Sequence, residues 1–549
     1  MYKLKKKNSN VIIFFYFFIF LIIGTFTAGD YGVHIEEKFH RSNGFYWLNY
    51  ILSFTDFTEL KTISINKFNN IGDYTLSAVS HYNKYGVIFD LPAAYIEILF
   101  NINNSKDFYK LRHLLSFLFF FVGTIFFYKI LLNRFKNKNI SLLGTTFFIL
   151  SPRIYGDSFL YKDIIFLSIS TIAIYFFFKI VDKFSYKNLI IFSFFSALST
   201  SSRIIGIYLP IIFLIISFLE NLNKKQKFDF LLKNLLFFFL FLFFLIIFWP
   251  YLWSDPIKNF LDIFKSIKVD LINFKILFNG NYISTNYIPY SYLPTWIAIS
   301  TPTLYIILFV SGYFLILKRF VIKFLKIEKN HKQKDLWYSF NEKKDFIIFL
   351  TLSSIFIFTV IHNVKLYNGW RLMYFLNTFF IYIASYATYI IFLKIRLSKK
   401  KVYIFNFMFL VALGLIFHKM VIYHPYQSLY FNNFLSPEKR NYFEGDYYGL
   451  ATSKGLAEII KINKEKKSIN IAVASHTPLQ RAIEFLDPID KKKINIVGQE
   501  YKMADYIYKN NIYEVDVNFN KKYLIPFSFK KISDFKIEGI ILYEIYKKI

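Results

Sequence analysis

The 549-residue chain has no cysteine. Disulfides, thiolate metal sites and a cysteine nucleophile are therefore excluded. Acids are scarce: 36 Asp and Glu stand against 67 Lys and Arg, for a formal net charge of +31. The sequence has no nucleophile motif and no internal repeat of the kind that builds many transporters. Its C-terminal part has no Gly-rich phosphate loop. What it has in excess is apolar and aromatic. Hydrophobic residues make up 55% and aromatics 22%, with 72 phenylalanines. Apolar runs of roughly 17–24 residues recur, the length that crosses a bilayer core of about 30 Å. A soluble single domain, a disordered chain and a collagen-like chain are excluded.

The first run, 11–28, follows four lysines and reads as a signal anchor rather than a cleaved signal peptide. Later runs fall at 111–132, 140–152, 164–180, 188–219, 231–250, 294–317, 345–361, 372–393 and 402–420. The 188–219 run is too long for one span and is interrupted by Ser199-Thr-Ser-Ser-Arg203. Basic stretches flank it on both sides, so two short spans meeting near Arg203 are expected. The total is then eleven spans. The connections assigned to the inside hold 28 Lys and Arg against 6 acids, as the positive-inside rule requires. The excess charge therefore reports topology, and no nucleic-acid partner is expected. The N-terminus is placed inside and the C-terminus outside.

The fold class is accordingly mainly α, a polytopic transmembrane protein with a large first outer loop (29–110) and a small outer α/β domain. The domain division is 1–420 and 421–549. Strands are expected at 469–474 and 539–545, and helices at 87–101, 454–462 and 480–486.

Polar clusters lie against the outer ends of the spans. The first runs from Asp30 through His34, Glu36 and Glu37 to His40 and Arg41. Its carboxylates can serve as a general base on an acceptor hydroxyl or amine, or the stretch is a solvated loop. The second, Ser151-Pro-Arg153-Ile-Tyr155-Gly-Asp157 with Lys162 and Asp163, offers two cations for a phosphate. Asp157 and Asp163 there can orient those cations or bind a divalent cation; a charge-balanced helix connection is the simpler reading. Arg203 is isolated among apolar residues, where a charge is costly and functional by default unless it snorkels. Gly369-Trp370-Arg371 reads as a tight turn with Trp370 at the membrane interface and Arg371 as a phosphate ligand or headgroup anchor. Trp249-Pro-Tyr-Leu-Trp253 positions a loop, and His424-Pro-Tyr-Gln427 and Asp446-Tyr-Tyr-Gly449 are read as structural. Together these basic and acidic groups suit a substrate with its phosphate at headgroup level and its tail in the bilayer. A proton-coupled transporter would place ionisable groups near the midplane instead.

Ile35-Glu-Glu-Lys-Phe-His-Arg-Ser-Asn-Gly44, Ser151-Pro-Arg-Ile-Tyr-Gly-Asp-Ser-Phe159 with Lys162-Asp163, Arg203-Ile-Ile-Gly206, Gly369-Trp-Arg371 and His424-Pro-Tyr-Gln427 carry a family resemblance. They resemble the GT-C superfamily of integral-membrane glycosyltransferases, in the branch similar to dolichyl-phosphate-mannose–protein mannosyltransferases and the lipid A aminoarabinose and galacturonic acid transferases. The resemblance implies inverting transfer of a sugar from a polyprenyl-phosphate donor to a protein, lipid or glycan acceptor on the outer face. The location implied is the cytoplasmic membrane of a bacterial cell envelope. In such enzymes the first loop commonly carries an Asp-Glu pair whose Asp is the base. Here the positions read Glu36-Glu37, and either can be that base. Lys162, Arg203, Arg371 and Arg153 are implied donor-phosphate ligands, with His40, Arg41, Asp157, Asp163, Tyr155 and Trp370 in support. No Trp-Trp-Asp motif of the oligosaccharyltransferase branch is present. A lipid-pyrophosphate-dependent polysaccharide polymerase or ligase, or a transporter with an outer domain, are the alternatives.

Overall fold

The structure, a computed structural model, describes residues 2–72, 84–160, 163–221, 227–269, 275–325, 339–513, 515–518 and 520–549. Among the described residues nine helices are long and apolar enough to cross a membrane: Asn10–Thr27, Ser105–Phe135, Asp163–Asp182, Ile204–Asn221, Phe230–Ile247, Thr303–Lys323, Phe340–Ile361, Arg371–Ile395 and Lys399–Tyr423. The chain is an integral membrane protein. The other two expected spans fall on shorter helices, Lys138–Ile149 and Tyr186–Ser202.

The long 188–219 run breaks at Arg203, as its flanking charges require. Helix Tyr186–Ser202 ends there, Arg203 is extended (φ −146°, ψ 126°), and a short 3-10 turn leads into helix Tyr208–Asn221. The 294–317 run is not one span. It splits into Tyr292–Ser300 and Thr303–Leu325, because Pro302 lacks an N–H and pushes the residue before it out of the helical region.

Helix Asp163–Asp182 sits at the centre, with 78% of its apolar window buried against 17% for Asn10–Thr27. Apolar contact alone gives no preference for protein over lipid inside a bilayer, so small and hydroxyl residues decide how the helices meet. Ser170 shares a 2.8 Å hydrogen bond with Ser199, and Thr171 a 2.7 Å bond with Thr378. Gly123 brings helix Ser105–Phe135 close to the same helix: a Cβ there would stand 2.9 Å from Ser168 Cα.

The first loop folds into helices Glu37–Leu52, Thr58–Asn69 and Asp90–Leu99. A hairpin, β1 (Lys275–Phe278) and β2 (Asn281–Ser284), precedes the broken span. The C-terminal region carries helix Thr452–Ile462 and a mixed sheet of order β4-β3-β5-β7-β6. Its strands are β3 (Ile469–Val473), β4 (Ile494–Ile496), β5 (Tyr506–Lys509), β6 (Phe529–Ile537) and β7 (Ile540–Lys548). β3 and β7 are the two expected strands, and helix Leu479–Ile483 overlaps the first part of the expected 480–486 segment. The C-terminal region is fastened to the first loop at Tyr448, whose carbonyl accepts the Ile35 N–H at 3.2 Å.

Candidate functional site

Four charged side chains from four distant stretches form one connected chain at the same end of the bundle. Glu36 stands at the N-cap of helix Glu37–Leu52. Asp163 opens the central helix, Arg203 occupies the break between two half-runs, and Arg371 opens the 3-10 turn Arg371–Leu376. Arg371 donates two hydrogen bonds to Glu36, Nη2 to Oε1 at 3.0 Å and Nη1 to Oε2 at 3.4 Å. Its Nε lies 3.5 Å from Asp163 Oδ2, and the other oxygen of Asp163 accepts from Arg203. The two cations and two carboxylates offset one another, which satisfies charges that burial would otherwise make costly. The members differ in access. The Glu36 side chain is 28% exposed, whereas that of Arg371 is 3% exposed.

The adjacent Glu37 is held differently. It is buried, lies 3.1 Å from His113 Nε2 through both oxygens, and accepts the His34 N–H at 2.9 Å. His34 in turn accepts the Glu36 N–H on Nδ1 at 2.8 Å and places Nε2 3.2 Å from Arg371 Nη1. Glu37 thus pins the loop to helix Ser105–Phe135, and Glu36 faces the other way. Beneath them His40 pairs with Asp90 at 3.3 Å. Arg41 grips Glu97 through Nε and Nη2 and lies 3.8 Å over the Phe108 ring. Both hold the first loop together and neither joins the ionic chain. Arg112 lies in the same layer, buried, and its three guanidinium nitrogens have no hydrogen-bond partner.

Aromatic rings wall the arginine. Tyr367, Tyr447 and Tyr448 lie 4.9, 5.8 and 5.4 Å from the Arg371 guanidinium, the cation–π range. The Tyr448 hydroxyl donates to Asp157 at 2.9 Å. Burial pushes the Asp157 carboxyl up to about 7, against the lowering effects of that bond and of Arg371 and Arg153. Behind the Gly369 turn, Glu444 accepts the Asn368 N–H at 2.9 Å. Burial raises the Glu444 carboxyl to about 8. Gly369 itself has φ +66°, a conformation open to glycine at little cost.

Several expected site residues sit elsewhere. Trp370 is buried in the protein and donates from its indole to Ser300 at 2.9 Å. Arg153 is turned inward, sandwiched by Trp296 and Phe431 at 5.0 and 4.8 Å, and donates to the Tyr430 carbonyl at 3.0 Å. Tyr155 faces an apolar groove and bonds to Thr27. Lys162 lies outside the described residues. Asp157 and Asp163 do not fit a divalent cation. The first is buried against a hydroxyl with its proton affinity raised, and the second is claimed by two arginines. Among the described residues no group of three His, Asp or Glu side chains is placed to hold a metal ion. Glu444 and His113 come to the site only through tertiary contact, single residues with no local pattern to announce them, and Tyr448 comes from the Asp446-Tyr-Tyr-Gly449 stretch, which reads as structural in the sequence.

No family model matches the sequence, and no curated protein matches it significantly. Among solved structures the chain is similar to the Archaeoglobus fulgidus oligosaccharyltransferase. Against the apo form the TM-score is 0.41 at 11% identity, covering 78% of this chain and 62% of that one. Against the complex with Zn and sulfate it is 0.43 at 10% identity, covering 89% and 67%. This chain thus spans less than two thirds of the apo structure's length.

Proposed function

We propose that the protein is an inverting glycosyltransferase that moves a sugar from a polyprenyl-phosphate donor to a protein, lipid or glycan acceptor at the outer face of the membrane. The observation that carries this reading is the partly exposed Glu36 carboxylate set directly on the buried, ring-walled Arg371. A base and an anion-holding group in contact are what a single displacement needs. Glu36 takes the proton of the acceptor hydroxyl or amine as its heteroatom attacks the anomeric carbon. The bond from that carbon to the phosphate oxygen breaks, and the departing phosphate gathers charge. Arg371 and Arg203 stabilise that charge as prepositioned donors in a site largely closed to water. Glu37, held by His113, positions the loop that carries Glu36.

Transfer from a polyprenyl-phosphate sugar by Glu36→Gln and Glu37→Gln tests the assignment. Glu36→Gln is expected to lower turnover by about 10² to 10⁴, the usual contribution of a positioned base, with donor binding kept. Glu37→Gln is expected to lower stability more than turnover. Full activity in Glu36→Gln rejects Glu36 as the base.

A further inference from the structure

We propose that helices Asn10–Thr27 and Lys399–Tyr423, with the C-terminal region above them, form a binding site for an anionic phospholipid. It shares no lining residue with the Glu36–Asp163–Arg203–Arg371 chain. Two spaces compose it. The first is an apolar groove of about 400 Å³ between the two helices and the end of Lys138–Ile149. Tyr16 and Thr146 bond to each other at 3.0 Å, and the Thr27 hydroxyl donates to the Ile23 carbonyl at 2.9 Å. With these polar groups satisfied, the groove wall presents hydrocarbon. From Tyr16 to Thr27 a helix rises about 16 Å, half of a core about 30 Å thick. The groove is thus as deep as one leaflet. Its flanks are open to the side, with Ile19, Ile23, Phe417 and Val421 all exposed.

The second space is a cavity of about 970 Å³ at the helix ends, joined to the groove at His424, which lines both. Three of its four acids are paired with lysines, and the fourth, Asp30, with a histidine. Asp30 pairs with His424 at 3.0 Å, Asp487 with Lys106 at 2.9 Å, Asp490 with Lys493 at 3.8 Å, and Glu538 with Lys419 at 2.9 Å. Lys110 and Lys454 line the same cavity and make no ion pair among the described residues. Lys454 Nζ is 3.4 Å over the Phe535 ring. Two ammonium groups outside any close ion pair, with Asp487 and Glu458 acting on Lys110 and Lys454 only at longer range, stand at the mouth of a leaflet-deep hydrocarbon groove and match a ligand with a phosphate head and an acyl tail. A bilayer supplies such a ligand through the exposed flanks.

The test uses the full chain purified from vesicles of equal phosphatidylglycerol and phosphatidylcholine, with retained lipid read by native mass spectrometry. Wild type is expected to retain phosphatidylglycerol preferentially. The Lys110→Gln, Lys454→Gln pair should cut that preference about thirtyfold, the combined effect of two interfacial lysines, and Lys110→Gln alone about fivefold. Ile23→Trp with Val421→Trp should expel both lipids by filling the groove. An unchanged preference in folded lysine variants overturns the proposal. So does displacement of the lipid by soluble glycerol phosphate alone, which would make the cavity a site for a free phosphate. Because the readout is bound lipid, the outcome is independent of whether the Glu36 site transfers sugar.

Discussion

Glu444 and Arg371 show how single side chains tune the site. Burial keeps the Glu444 carboxyl protonated up to about 8 in the folded protein, against an ordinary value of 4.5. Between those values the folded state binds a proton that the unfolded chain has released, so stability falls as pH rises. The stabilising contribution is fully present below about 4.5 and is lost as pH passes through about 8. Glu444→Gln should flatten this decline in a pH series of melting temperatures, and the residual slope should come from Asp157 and Asp446, whose burial raises their folded values to about 7 and about 6. Arg371→Ala strands Glu36 and Asp163 and should weaken donor binding by about 2 to 5 kcal/mol, as loss of one member of a buried charge pair does. Isothermal titration with a polyprenyl-phosphate sugar measures it, and wild-type affinity in both Arg371→Ala and Arg203→Ala would return these arginines to headgroup anchoring. Glu36 and Arg371 stood out in the sequence because each lies in a polar cluster set directly against an apolar run. Tyr448 and His113 did not, since their roles depend on chain segments hundreds or tens of residues away.

Elements were legible where local chemistry sets them. The break at Arg203 follows from run length and flanking lysines, and β3 and β7 from their apolar runs. Pro302 marks the other break, but a hydropathy run passes over a single proline. The Asn279-Gly280 turn, with φ of 51° and 82°, is the hairpin signal for β1 and β2, hidden between two stronger apolar runs. Which helices touch is set by small residues that hydropathy does not register. Gly123→Val is expected to push helix Ser105–Phe135 off Ser168 at about 1 to 3 kcal/mol. The melting temperature in detergent should drop accordingly, and Gly123→Ala should fall between the two.

For the whole molecule, the described residues supply nine helices able to cross, or eleven with the two shorter ones, an odd number either way. The absence of native cysteine makes orientation directly testable. An impermeant maleimide should label Ser468→Cys, before β3, on intact cells and leave Ser398→Cys, in the basic connection before helix Lys399–Tyr423, unlabelled. The reverse pattern would invert the topology. The two shorter helices have 12 and 17 residues, rising about 18 and 26 Å against a core of about 30 Å. A helix that short, begun at one edge of the core, ends before the other, which would set Arg203 and the Ser151–Asp157 stretch in a recess below the plane of the lipid phosphates, and the Arg203 and Arg371 side chains are only 14% and 3% exposed. Mobile salt ions screen charges there far less than they screen exposed ones. An anion held by Arg203 and Arg371 should accordingly bind almost independently of ionic strength, whereas one held by surface lysines would be released as salt is raised.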